Sequence, residues 1–329
     1  MRKTLGLFFA LFIFAFVLFY FWASGSNRAV THDEMLISNQ SSDVGKGIGD
    51  TLTAISYNLG YLSGMINNMA VEREENIFHE NLTLTNQLFA INKPDIVGFQ
   101  EIDIDSKRSF NYNQVDSISS EMGDINTYTS LNWDKKYVPF PYWPLRFHFG
   151  KIISGQSVFS RFPIRKAESQ RLIKPLNAPF YYNDFYLDRL IQKVFIVIGD
   201  QEVLVMNVHL EAFDTETRQV HFETVKQQYL KYAATHPVIL MGDFNSNFED
   251  QEVGLETLLA LPFLRVCYDT PIKKYLTFSS EKPTVLLDYI FYNDNWIEKV
   301  DVKILKEAGQ ISDHLPVMMR FVIKDKNAR

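Results

Sequence analysis

Apolar and polar positions fall into three stretches of different rhythm. Residues 5–23 run for 19 positions without a charge, directly behind Arg2 and Lys3. At about 1.5 Å per helical residue, such a run just crosses a bilayer core of roughly 30 Å. Tyr20 and Trp22 lie near its far end, where amphipathic rings favour the membrane interface. The pattern predicts a transmembrane anchor over 5–23 behind a cytoplasmic N-terminus, residues 1–4. The alternative is a cleaved signal peptide, because Ala23-Ser24-Gly25-Ser26 offers small residues for cleavage. Arg2 and Lys3 stay cytoplasmic by the positive-inside rule. Everything after residue 24 is then extracytoplasmic, held at the membrane or, after cleavage, secreted.

Residues 24–50 lose all periodicity and hold five Ser and four Gly, the composition of a flexible linker. From Thr51 onward short β-rich runs alternate with helical periods. Thr53–Tyr57, Ile96–Phe99, Val158–Ser160, Lys193–Ile198, Val203–Leu210, Val238–Met241, Leu286–Tyr292, Val300–Leu305 and Val317–Ile323 read as strands. Helical stretches are expected near 72–91, 113–122, 215–235 and 252–260. In the third, Phe222, Val225, Tyr229 and Tyr232 recur at helical spacing and make one apolar face. Strands outnumber helices and several adjoin without a helix between them. That favours a mixed, layered α/β sandwich over a doubly wound parallel sheet. The folded domain is expected over 51–324, followed by a polar tail, 325–329.

Composition narrows the chemistry. A single cysteine, Cys267, excludes an internal disulfide framework and a cysteine-based metal cluster. No G-x-G-x-x-G or Walker-type loop is present, so a nucleotide cofactor has no support. The net charge is −6, and residues 1–50 carry four charges of each sign, so the domain holds the whole deficit. Sequence-independent nucleic-acid binding needs a basic surface to replace counterions, which disfavours a nucleic-acid substrate.

Polar residues follow directly on apolar, strand-like runs, Asp243 and Asn245 in Gly242-Asp243-Phe244-Asn245 and Asp288 in Leu287-Asp288-Tyr289, while Ser312-Asp313-His314 reads as a tight turn leading into a strand. Rigid strands aim such side chains into a shared site. With Ile55-Ser56-Tyr57-Asn58, Gly98-Phe99-Gln100-Glu101, the run from Gly155 to Pro163 and Asn207-Val208-His209-Leu210, these make an ordered set. In that order the chain resembles the endonuclease/exonuclease/phosphatase superfamily over residues 51–324. Its branches include DNase I-like nucleases, abasic-site endonucleases, inositol polyphosphate 5-phosphatases and neutral sphingomyelinases. The resemblance implies a four-layered α/β/β/α sandwich of two mixed sheets that hydrolyses a phosphodiester or phosphomonoester.

Phosphoester hydrolysis needs charge neutralisation and positioning, and Mg²⁺, a hard cation that takes oxygen ligands, suits it; Mn²⁺ is the alternative. The resemblance implies that Glu101, with Asn58 and Asp313, holds the metal. It gives His314 the scissile phosphate and a proton, with Asp288 as its partner. Asp243 aligns or deprotonates the attacking water and Asn245 donates to the phosphoryl oxygens. His209 occupies a second phosphate-contacting position. DNase I-like enzymes pair that histidine with a glutamate, and Lys151–Arg161 offers no carboxylate for it.

Two aromatic segments bear on the substrate. Residues 137–149 hold six aromatics and three prolines, and 179–187 hold five aromatics. Proline makes the first a loop. One reading is a ring-bearing loop that meets a membrane lipid and accepts its headgroup phosphate, as in a sphingomyelinase. A second is that the rings cover an edge of the sandwich, and a third, stacking on nucleic-acid bases, is disfavoured by the few nearby cations, Lys135, Lys136, Arg146 and Lys151.

Overall fold

The computed structural model describes residues 2–27, 34–37, 45–248 and 253–325. Residues 28–33 and 38–44 of the expected linker, and 326–329 of the expected tail, lie outside the described residues. Helix α1, Arg2–Ser24, covers the uncharged run and exposes its side chains along nearly its whole length. Among the described residues it is the one helix long and apolar enough to cross a membrane.

The described residues then form thirteen strands: β1 (Glu34–Ile37), β2 (Leu52–Asn58), β3 (Ile96–Asp103), β4 (Asn126–Val138), β5 (Gly150–Ser160), β6 (Ile164–Arg171), β7 (Leu190–Ile198), β8 (Gln201–His209), β9 (Val238–Asp243), β10 (Leu264–Val266), β11 (Asp288–Asn293), β12 (Ile297–Ile304) and β13 (Val317–Ile323). They form a seven-stranded sheet, β1-β4-β5-β3-β2-β13-β12, and a six-stranded sheet, β10-β11-β9-β8-β7-β6. Both are mixed. The β2–β3 and β8–β9 pairs are parallel and the other named pairs antiparallel. The sheets face each other through β2, β3 and β5 on one side and β7, β8, β9 and β11 on the other.

Helices α2 (Glu75–Asn92) and α3 (Gln114–Met122) cover the larger sheet; after the single-turn α4 (Phe180–Asn183), α5 (Thr215–Ala233) and α6 (Val253–Leu259) cover the smaller. This is the four-layered sandwich that the resemblance implies. Helix α5 starts where it does because the Asp214 side chain accepts from the Thr217 amide at 2.9 Å, satisfying one orphan donor of the first turn. Its Phe222, Val225 and Tyr229 are buried in the core, as their spacing predicts, while Tyr232 packs at the core's margin.

Strands β1, β6 and β10 and the single-turn α4 fall where no element is expected, and two further features differ from the sequence reading. Part of the expected linker is tied to the domain: Ser24 and Gly25 accept from Lys135 and Lys136 at 2.9 Å, Glu34–Ile37 pair with β4, and Lys46 bridges Asp95 at 2.8 Å. The β4 edge, whose backbone groups must be satisfied, explains the pairing of Glu34–Ile37 and the Lys136–Gly25 bond. The second is β4 itself, a 13-residue strand over a stretch that the apolar pattern does not mark.

Between the sheets runs a buried polar layer. Gln100 donates to Asn207 Oδ1 at 2.6 Å, Asn207 donates to Gln192 Oε1 at 2.8 Å, and Gln192 donates to the Gln156 carbonyl at 3.0 Å. Each donor finds a partner, so the layer locks the facing of the two sheets just beneath Glu101.

Candidate active site

The sandwich brings the candidate residues to one end. Asn58 closes β2, His209 closes β8, Asp243 closes β9 and Asp288 opens β11. Register places Asp243 opposite both His209 and Asp288, and Asn58 opposite Gln100. Asp313 and His314 sit on the loop that enters β13. Glu101 lies within an irregularity of the β3–β5 register between Phe99 and Ile102, and its φ is +52°. Such a bulge re-aims one side chain out of the strand's alternation. Asn245 also has a left-handed φ, +49°, which asparagine tolerates better than most residues. Gly60 holds the metal-side loop close, because a Cβ there would stand 2.7 Å from Ser312 Oγ and 2.9 Å from Asp313 Oδ1.

Asp243 is the hub. Its Oδ2 accepts from Asn58 Nδ2 at 2.9 Å, and its Oδ1 accepts from the Asn245 amide at 2.9 Å. The same Oδ2 stands 3.5 Å from His209 Nε2 and 3.8 Å from His314 Nε2. His314 Nδ1 is hydrogen-bonded to Asp288 Oδ2 at 2.9 Å, which turns Nε2 to the cleft. The His314 amide donates to Ser312 Oγ at 3.1 Å, the Phe278 ring packs on the imidazole at 4.9 Å, and Tyr268 donates to the Asp288 carbonyl at 2.6 Å. Asn245 reaches the Leu210 carbonyl at 3.0 Å.

The two histidines are driven apart electrostatically. Burial opposes charge on His314, but Asp288 and Asp243 outweigh it and hold the imidazole well above its ordinary value. His209 is pushed well below it, by burial first and then by Arg189 and His314. Burial pushes Asp243 up to about 7, with His314 pulling it back. Neighbouring titratable groups displaced in opposite directions are the pattern of divided acid and base roles.

The donor set fits a hard divalent cation. Glu101 is raised by burial first and then by the negative charge of Asp313. Asn67 satisfies Glu101 Oε2 at 2.9 Å. Oxygen donors and unbalanced negative charge are what Mg²⁺ selects. Asn58 Oδ1 accepts from the Gly60 amide at 3.1 Å, so this residue links Asp243 to the metal-side loop. Asp243, Asp288 and His314 also bring donor atoms within 4.8 Å of one another. Their Asp288–His314 hydrogen bond commits two of those donors to each other, while Glu101 and Asp313 are the other carboxylates that could hold a cation at this end of the sandwich.

No carboxylate holds His209 Nδ1, as its sequence surroundings suggest, and that atom is buried without a hydrogen-bond partner. The ring's Nε2 accepts instead from Arg189, a contact that sequence reasoning missed. Arg189 is buried, donates to Tyr186 Oη at 2.9 Å and lies 3.6 Å from Glu211 Oε2. Tyr186 in turn donates to Glu211 Oε1 at 3.0 Å. The available signal was an arginine immediately before a strand whose first residue, Leu190, pairs with His209. Asn67 carries no comparable signal. Of the other histidines, His79, His148, His221 and His236 stand outside this cluster, bonded to Tyr112, Tyr137, the Ile173 carbonyl and Thr235 respectively.

Comparison with known proteins agrees with this geometry. Residues 55–314 match the model of the Endonuclease/Exonuclease/phosphatase family. A UPF0294 protein of Vibrio cholerae serotype O1 is 32% identical over 121 residues, which is 37% of this chain and 40% of that protein. The match thus spans about two fifths of that relative's length. Among solved structures, the mannosyl-6-phosphatase of Bacteroides thetaiotaomicron superposes with a TM-score of 0.61 at 18% identity, covering 83% of this chain and 100% of that one. The human Nocturnin catalytic domain with bound sulfate anion gives 0.60 at 16% identity, covering 91% and 100%. The sandwich, its converging carboxylates and histidines and the family match over 55–314 together place this chain in the endonuclease/exonuclease/phosphatase family.

Proposed function

We propose that this chain is a membrane-anchored phosphodiesterase that hydrolyses a lipid headgroup phosphate by in-line attack of water. The reading rests on one observation above all: Asp243 lies between Asn58, His209 and His314, with the Asp288 bond aiming His314 at the same space. Glu101, Asn58 and Asp313 would hold Mg²⁺, or Mn²⁺ in its place. The cation, when bound, neutralises charge on the phosphoryl oxygens.

This chain's own residues supply the rest. Asp243, pushed up to about 7 by burial, is matched to taking the proton of the attacking water near neutral pH. Asn245 orients that water and donates to the phosphoryl group. His314, kept protonated by Asp288, presents Nε2–H to the phosphoryl oxygens as charge builds there. His209 stays neutral, and Arg189 beside it adds fixed positive charge.

Helix α1 is read as the anchor, with Arg2 and Lys3 cytoplasmic and the domain outside. The lipid substrate is favoured by that tether and by the aromatic segments, 137–149 and 179–187. The test supplies the full chain and Mg²⁺ with sphingomyelin-containing vesicles, supercoiled plasmid and a soluble phosphomonoester in parallel. Phosphocholine release, lost in His314→Ala, is the expected result. Plasmid nicking or phosphomonoester cleavage without lipid cleavage would overturn the substrate and keep the site.

A further inference from the structure

Helix α1 does not end on a free tether. Its last turn lies directly on the two aromatic segments. The Phe19 and Trp22 rings meet Tyr137 at 5.7 and 6.4 Å, and Tyr20 meets Phe185 at 5.6 Å while its hydroxyl bonds Asp184. Asn27 then donates to Asp134 at 2.8 Å, and Ala23 is fully buried in the junction. The face of the domain beside the end of α1 is therefore fixed.

That face divides its rings into two sets. Trp133, Phe149 and Leu187 are buried as a satellite core, with Phe140 and Tyr186 packed on it, and these do cover the sandwich edge. The second set is turned out: Tyr142, Trp143, Leu145, Phe180, Tyr181 and Phe213 are each 58–79% exposed. Contiguous exposed rings of this size mark an interaction surface. They adjoin the α1 junction through Tyr137, whose hydroxyl bonds His148 at 2.7 Å, and His148 contacts the Tyr142 carbonyl at 3.3 Å. They adjoin the catalytic cleft through Tyr182, stacked on Tyr186 at 5.1 Å, and through Phe213, whose amide donates to Glu211 at 3.0 Å. Arg146 adds an exposed positive charge among them.

We propose that Tyr142, Trp143, Leu145, Phe180, Tyr181 and Phe213 form a bilayer-docking rim that seats the catalytic cleft on the lipid interface. The inference rests on the reading of α1 as a membrane anchor. The occupant is lipid because the surface continues a helix whose end already lies at the interface. Tyr and Trp favour that depth, and Arg146 matches headgroup phosphates. Ordered contact along the junction presents the rim to the bilayer continuously, at high local concentration.

The test uses the full chain in vesicles of phosphatidylcholine, sphingomyelin and phosphatidylglycerol. A polarity-sensitive fluorophore is placed in turn at Phe12→Cys, Trp143→Cys, Phe180→Cys and Val300→Cys, and quenching by lipid-borne nitroxides is read. Val300 lies on β12, the sheet edge opposite the junction, and Cys267 is buried. Quenching at 12, 143 and 180 but not at 300 is the expected result. Quenching at 12 alone would overturn the rim and leave the anchor standing. No quenching at 12 would overturn the anchor and the rim with it. Shielding at 143 from an aqueous quencher without nitroxide quenching would point to a protein partner and overturn the lipid assignment. In the same vesicles the triple variant Tyr142→Ser, Trp143→Ser, Phe180→Ser should cleave vesicle lipid about tenfold more slowly. It should keep wild-type activity on a soluble phosphodiester; equal loss on both substrates would contradict the rim.

Discussion

His314 Nδ1 stands 2.9 Å from Asp288 Oδ2, and that bond decides which imidazole nitrogen faces the cleft. It fixes the proton on Nδ1 and aims Nε2 at Asp243, 3.8 Å away. Remove the acceptor and the ring keeps its place between Phe278 and Ser312 but loses its tautomer and its charge.

Asp288→Asn should therefore lower kcat by roughly 10²–10⁴-fold with KM changed far less, since the phosphate is bound by other groups. Steady-state kinetics on a soluble phosphodiester checks this, with circular dichroism verifying the fold. A large rise in KM at constant kcat would move Asp288 out of the catalytic step.

Glu101 and Asp313 are expected to supply most of the cation affinity. Mg²⁺ should raise the Tm of the wild-type chain, by the linkage of binding to folding, and should leave Glu101→Ala unmoved. Asp313→Asn should respond weakly. The apo Tm of Glu101→Gln should match or exceed wild type, because one of two mutually repelling carboxylates is neutralised. An unchanged Mg²⁺ shift in Glu101→Ala would exclude this seat.

Arg189 should matter for stability as well as rate. It and Glu211 are both buried, their side chains 4% and 1% exposed. Truncating one partner strands the other charge, which costs about 3–5 kcal/mol. Arg189→Ala should thus unfold at clearly lower denaturant and turn over slowly. Arg189→Met with Glu211→Gln together should recover much of the stability but not the activity. Recovery of both would make the arginine structural only.

Acid should loosen the fold through His221. Burial pushes this histidine down to about 4, so below 6.5 the unfolded chain binds a proton that the native chain refuses. Stability present at neutral pH is then lost as pH falls from 6.5 towards 4. Each pH unit of the window is worth about 1.4 kcal/mol, on the order of 3 kcal/mol in all. His221→Gln should show a flatter fall in denaturation midpoint across that window; an unchanged slope would assign the acid sensitivity elsewhere.

The site was more legible than the sheets around it. Asn58, His209, Asp243 and Asp288 each end or begin a run of apolar residues, so strand geometry alone converges them. Strands with charged or polar faces hid themselves. Ile164–Arg171 is a partly exposed edge strand with a single buried residue, and its charged side chains protect it. The strand Asn126–Val138 is buried on both faces over its first eight residues, and Asn126, Thr127, Thr129, Ser130 and Asn132 among them are polar, so no apolar run marks it. Arg189 was illegible because its worth comes from a partner 20 residues away across a strand pair. The docking of Ser24–Asn27 was hidden because Ser and Gly read as linker whether or not an edge strand awaits them.

The most direct measurement is turnover of a soluble phosphodiester by the purified full chain, with and without a chelator, beside His314→Ala. The account predicts hydrolysis that vanishes with chelation, returns with Mg²⁺ and falls by at least about 10²-fold in the variant. Turnover that survives chelation, or that His314→Ala retains, would contradict it.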